Sequence, residues 1–160
     1  LFDLQGFRKG FQMEYGGFWI RVLASIIDGI IIGLVSLLLI LLSAQGITEY
    51  VADEDLSWVD GVTTILGIAY YTGFHGSAMQ ATPGKRALGL IVTDYNGQRI
   101  SYLRAFGRYW ANLLSAMILF IGYIMVAFTE RKQGLHDIIC STLVVRGNPG
   151  EVGVDTAVFE

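Results

Sequence analysis

The 160-residue chain is 53% hydrophobic and only 16% charged, with a net charge of −3 and a mean hydropathy of +0.53, whereas an ordinary soluble domain carries about 25% charged residues. Three long windows almost free of charge weigh against a water-soluble domain and indicate a multi-helix integral membrane protein of all-α class. The single Cys140 excludes an internal disulfide, and His75 and His136 alone supply too few soft ligands for a structural zinc site.

Residues 1–17 form an N-terminal segment that carries Arg8 and Lys9. A first span is predicted over about 18–43, with Phe18 and Trp19 as interfacial aromatics and no charge from Gly29 to Ser43. A second is predicted over about 58–79, anchored by Trp58. The segment between them, 44–60, holds Glu49, Asp53, Glu54, Asp55 and Asp60 and no Lys or Arg. The loop after the second span, 80–108, holds Lys85, Arg86, Arg99, Arg104 and Arg108 against one Asp94. The positive-inside rule places that basic loop and the N-terminus in the cytoplasm and the acidic loop outside.

A third uncharged window, 109–129, either spans or re-enters. Full crossing would export Arg131, Lys132 and Arg146, and a re-entrant hairpin would keep them inside; Gly122 could mark a bend there, although such a Gly more often marks helix packing. Within the basic loop, 88–94 is rich in β-formers, Asn96-Gly97 is a favoured hairpin turn, and 98–101 returns, which predicts a small cytoplasmic β-hairpin over about 88–101. Residues 141–146 have the same β character and could add a strand, which would favour re-entry of the third window. Residues 18–146 thus read as one membrane domain, and 147–160 as a loose tail.

Arg21 and Asp28 lie seven residues apart, on one helix face and about 10 Å apart along the axis. Ser25 sits between them. An ionised carboxylate at Asp28 costs several kcal/mol unless paired, hydrated or protonated, so it is either an exchanging carboxylate or one half of a packing salt bridge. Arg21 is either its counter-charge or a snorkelling cation. Thr64, Gly67, Tyr71 and His75 share a face of the second span that could approach this stripe, and Gly29 and Gly33 form a small-xxx-small pair that permits close helix approach. Thr82-Pro83-Gly84-Lys85 is not a phosphate loop, since Met79 stands where its first Gly belongs and Arg86 follows the Lys. It reads instead as a sharp exit that sets Lys85 and Arg86 at lipid headgroups. Asp137 caps a helix or answers Arg21 across the bundle, and His136 with Cys140 at i+4 has metal-pair spacing alone. No nucleophile–base pair, cofactor motif or metal cluster stands out, so no enzyme is expected. The basic residues are those topology already requires, and nucleic acid is not an expected partner.

Together these motifs resemble one family. Gly17-Phe-Trp-Ile-Arg21 with Asp28, then Thr82-Pro-Gly-Lys85 with Gly89-Leu-Ile-Val92, then Gly134-Leu-His-Asp137 with Thr142-Leu-Val-Val145 look like the RDD family of bacterial and archaeal membrane proteins. The resemblance covers about 15–146. One departure is Gln80, which stands one place early before the Thr-Pro-Gly-Lys motif, ahead of Ala81. The resemblance implies that Arg21, Asp28 and Asp137 are the residues that name the family, and that the chain sits in a prokaryotic inner membrane. The function expected from this resemblance and from the intramembrane carboxylate is proton-coupled exchange of a monovalent cation, with Asp28 as the exchanging carboxylate, Asp137 as second acid or gate and Arg21 as the competing counter-charge. The alternative is a non-catalytic accessory or assembly subunit of a larger membrane complex. With three spans too few to enclose a path, a transporter reading predicts a homo-oligomer.

Overall fold

The computed structural model describes residues 13–43, 47, 50, 58–118 and 121–151. Most of the expected acidic loop, most of the N-terminal segment and most of the tail lie outside these residues. Within them the chain runs α1 (Phe18–Leu42), α2 (Trp58–Gly76), α3 (Pro83–Ala87), β1 (Leu90–Asp94), α4 (Tyr102–Met117), α5 (Ile121–Phe128), α6 (Leu135–Ile139) and β2 (Thr142–Arg146).

The first apolar window forms a single 25-residue helix, most of whose surface lies open while Ala24 and Asp28 are buried. Such a helix rises about 37 Å, enough to cross a hydrocarbon core about 30 Å thick. Among the described residues α1 alone is, as a single helix, long and apolar enough to cross a membrane. At 19 residues α2 has nearly the length, but Asp60, Thr63, Thr64, Tyr70, Tyr71 and His75 dilute its apolarity. It also ends at Gly76, three residues short of expectation, where the Ser77 hydroxyl donates to the Phe74 carbonyl at 2.8 Å and turns the chain away.

The third window is not one helix. Helix α4 begins earlier than expected, at Tyr102, because the Ser101 side chain accepts from the Arg104 N–H and caps its first turn. That inclusion makes α4 amphipathic: Arg108 and Ser115 are buried while Leu103, Phe106, Trp110 and Met117 are exposed. The chain then bends by 94° into α5. Eight residues rise only about 12 Å, so α5 cannot cross by itself. Gly122 is a packing position, since a Cβ there would stand 2.7 Å from Ser115 Cβ of α4 and 3.0 Å from Leu135 Cβ of α6.

The expected 88–101 hairpin is corrected. Its turn forms: Asp94 Oδ1 accepts from the Asn96 and Gln98 N–H groups at 2.8 Å, and Gly97 takes φ 77°. The returning residues, however, run on into the cap of α4, and β1 pairs antiparallel with β2, Leu90 opposite Arg146 and Asp94 opposite Thr142. Burial decides the partner. Leu90 and Val92 pack with Ala24, Ile100, Ala105 and Val144 on one face; Ile91 packs with Ala81, Leu143 and Val145 on the other. Both strands are buried on two faces, which residues 98–101 could not supply. The far edge of β2 is met by the residues before α1, where Tyr15 bridges Val145 and the Gly16 N–H donates to the Val144 carbonyl at 2.9 Å.

Candidate functional site

Asp28 is fully buried on α1 and bonded by three donors. Its Oδ1 accepts from the Tyr70 hydroxyl and the Gly84 N–H, each at 2.8 Å, and its Oδ2 accepts from the Thr82 hydroxyl at 2.6 Å. The Thr-Pro-Gly-Lys motif is thereby explained from its parts. Pro83 occupies the first turn of α3, where its missing N–H costs nothing. Thr82 stands at the cap position but gives its hydroxyl to Asp28, so the carboxylate of α1 takes over as cap for the Gly84 N–H. Gly84 admits that contact, because a Cβ there would collide with the Ala24 carbonyl oxygen and lie 2.8 Å from Asp28 Oδ1.

Asp137, also fully buried, is held by charge. Arg21 Nη1 donates to its Oδ2 at 2.5 Å, and Arg108 reaches Oδ1 with Nε at 3.0 Å and Nη2 at 2.5 Å. The Gly134 N–H donates to Oδ2 at 3.2 Å, so the same carboxylate caps α6, and the Thr142 hydroxyl approaches Oδ1 at 3.3 Å. Arg21 is fixed at its other edges by the carbonyls of Gly16, through Nε at 2.8 Å, and Lys132. Burial acts to raise the Asp137 carboxyl, but the charges of Arg108 and Arg21 outweigh it and hold the group well below the usual carboxylate range.

Arg21 and Asp137 therefore meet, and Asp28 belongs to a separate node. Arg108 makes two hydrogen bonds to Asp137 where Arg21 makes one, and it was not singled out by sequence reasoning. The signal was present: Arg108 follows Arg104 by four and is flanked by Phe106, Tyr109 and Trp110, but as a loop cation it already answered the charge rule. On α2 the residue that touches Asp28 is Tyr70, one place from the expected Tyr71. Gly29 and Gly33 face open space among the described residues.

Tyr71, His75 and Ser25 instead line a partly open cavity of about 590 Å³ bordered mainly by α1, α2, α4 and α5. Arg21, Lys85, Arg108 and His136 also line it, while neither aspartate does. Lys85, expected at headgroups, is turned inward and 8% exposed, since it follows the Gly84 contact that seats α3 against α1; its neighbour Arg86 is exposed. Burial, and secondarily the Arg108 charge, push the Lys85 ammonium down to about 7. Burial likewise pushes His136 down to about 3, against the pull of Asp137, and leaves it neutral at pH 7. Among the described residues no three His, Cys, Asp or Glu side chains are placed to hold a metal ion.

The sequence matches the RDD family over residues 15–141. It is similar to the uncharacterized protein YxaI of Bacillus subtilis, at 39% identity over 145 residues, covering 81% of this chain and 95% of that one. Similarity extends to YckC of the same organism, 31% identical over 84% of this chain and 87% of the relative. The uncharacterized membrane protein YteJ, also of Bacillus subtilis, is 29% identical over 82% of this chain and 80% of its own length. No solved structure matches.

Proposed function

The chain belongs to the RDD family, and we propose that it is a non-catalytic accessory or assembly subunit of a membrane complex, in which Arg21, Asp28 and Asp137 are fixed packing nodes. The family, the membrane relative and the length and apolarity of α1 point to a membrane protein. The observation that carries the finer reading is saturation. Asp28 already accepts from three donors, Asp137 is bound by two guanidiniums, a backbone N–H and a hydroxyl, and neither carboxylate faces the cavity. A carboxylate that trades protons for cations must be reachable by both.

In the arrangement we propose, the N-terminus and the β1–β2 sheet lie at the cytoplasmic face of an inner membrane, α1 and α2 cross, and α4 with α5 re-enters. Pairing of β1 with β2 supports this, since it requires residues 90–94 and 142–146 on one side. Exposed Trp19, Leu103, Met117 and Phe128 need covering by lipid, by further copies or by a partner. Extraction of the protein from its native membrane in a mild detergent, followed by native mass measurement, tests the role. The reading expects a stable assembly larger than one 17.6 kDa chain; a lone monomer overturns it.

Proton-coupled exchange of a monovalent cation is the second reading, with Asp28 as exchanging carboxylate, Asp137 as second acid and Arg21 as competing counter-charge. It is favoured by the position of Arg21, which both binds Asp137 and lines the cavity. It requires Asp28 to release Tyr70, Thr82 and Gly84 in each cycle.

A further inference from the structure

The cavity between α1, α2, α4 and α5 carries a charge imbalance that the two nodes do not use. Three cationic side chains, the buried Arg108 and Lys85 and the partly buried Arg21, converge on it, against two carboxylates that both lie outside its lining. One positive charge is therefore left over. Lys85 is its source: the residue is 8% exposed, and its ammonium makes no hydrogen bond or salt bridge to any described residue. A buried charge without a partner is among the costliest arrangements a protein can hold.

Three further polar atoms of lining residues have no hydrogen-bond partner among the described residues: His75 Nε2, His136 Nδ1 and Asn112 Oδ1. His75 and His136 are only 5% and 6% exposed. Each imidazole nitrogen can donate or accept according to tautomer, and the Asn112 amide can present its NH₂ by rotation. Arg108 spends one N–H of Nε and one of Nη2 on Asp137, which leaves three of a guanidinium's five to other partners. The lining is otherwise largely apolar, with Phe18, Val22 and Ile26 of α1 and Ile124 and Val126 of α5. At about 590 Å³ the space falls in the range of about 300–1,000 Å³ typical of small-molecule sites.

We infer that this cavity binds a phosphate-type oxyanion with an apolar body, carried by a lipid headgroup or by a free phosphorylated solute, with Lys85 as the ammonium anchor and Arg108 as a second donor. A monovalent cation would meet a net positive charge in the same place. Because the Lys85 ammonium is held down to about 7, an oxyanion beside it restores its charge, and occupancy at neutral pH takes up a proton. The inference does not depend on the assembly role and survives its failure.

The test is thermal unfolding of the purified full chain in a neutral detergent, with inorganic phosphate, short-chain phosphatidic acid, the matching short-chain diacylglycerol, or chloride at equal ionic strength. The midpoint of the wild type is expected to rise with phosphatidic acid and not with diacylglycerol or chloride. A rise with inorganic phosphate as well assigns the site to free oxyanions; its absence assigns it to headgroups. Lys85→Met, and to a smaller degree Asn112→Leu, should respond about tenfold more weakly or less, and Lys85→Met without ligand should unfold at or above the wild-type midpoint. No anion-specific shift, an undiminished response in Lys85→Met, or a Lys85→Met chain that fails to fold would each overturn the assignment.

Discussion

Asp137 and Asp28 are equally buried, yet the first is balanced by two guanidiniums and the second by hydroxyl and amide dipoles. The difference predicts how each fails. Asp137→Asn leaves Arg21 and Arg108 buried without a counter-charge, and should cost about 3–5 kcal/mol in denaturant unfolding. Acid should act on the same node, because the unfolded carboxyl takes up a proton near its ordinary value while the folded one resists. Stability contributed by Asp137 is thus present above that value and lost as pH falls below it. Lys85 runs the other way on the alkaline side. The folded chain releases its proton at about 7 and the unfolded chain at 10.5, so stability should rise with pH between those values, and Lys85→Met should abolish the rise in unfolding measured across pH 7 to 10. Arg21, Asp28 and Asp137 stood out in the sequence through their motifs. Arg108, Tyr70 and the inward turn of Lys85 did not, because a cation in a basic loop and one tyrosine of an adjacent pair have an ordinary explanation at the membrane face.

At the scale of elements, two short helices depend on carboxylates for their first turns: α3 borrows Asp28 from α1, and α6 uses its own Asp137. Gly84→Ala would drive a methyl into the Ala24 carbonyl and Asp28, parting α3 from α1 at a cost of about 3 kcal/mol in unfolding free energy. The long apolar windows announced α1 and α2 by length and anchoring aromatics. The strand at 141–146 was legible as a possible addition to the sheet, but its direct pairing with β1 was not, since a local Asn-Gly turn competes with a strand about fifty residues away. Two-faced burial of Leu143, Val144 and Val145 settles that competition only once α1 and Ala81 are in place. In the sequence the 109–129 window stays open between spanning and re-entry, because an uncharged window records apolarity and not direction.

For the whole molecule, the proposed topology sets Gly97 and Lys132 on the same side and the 44–60 segment on the other. In a Cys140→Ser background, single cysteines at Gly97 and Lys132 should react with an impermeant maleimide added to inside-out vesicles and resist it in right-side-out cells. Reaction of the two from opposite sides would refute re-entry. The central claim, that the Arg/Asp residues are packing nodes and not an exchange site, is tested most directly by reconstituting the folded protein in liposomes with a trapped pH dye. Na⁺, K⁺ or Li⁺ is then added to wild type and Asp28→Asn, with the unfolding midpoint of each recorded alongside. The account predicts no cation-driven proton movement by either protein and a lowered midpoint for Asp28→Asn. Proton movement by the wild type that disappears in a well-folded Asp28→Asn would contradict it.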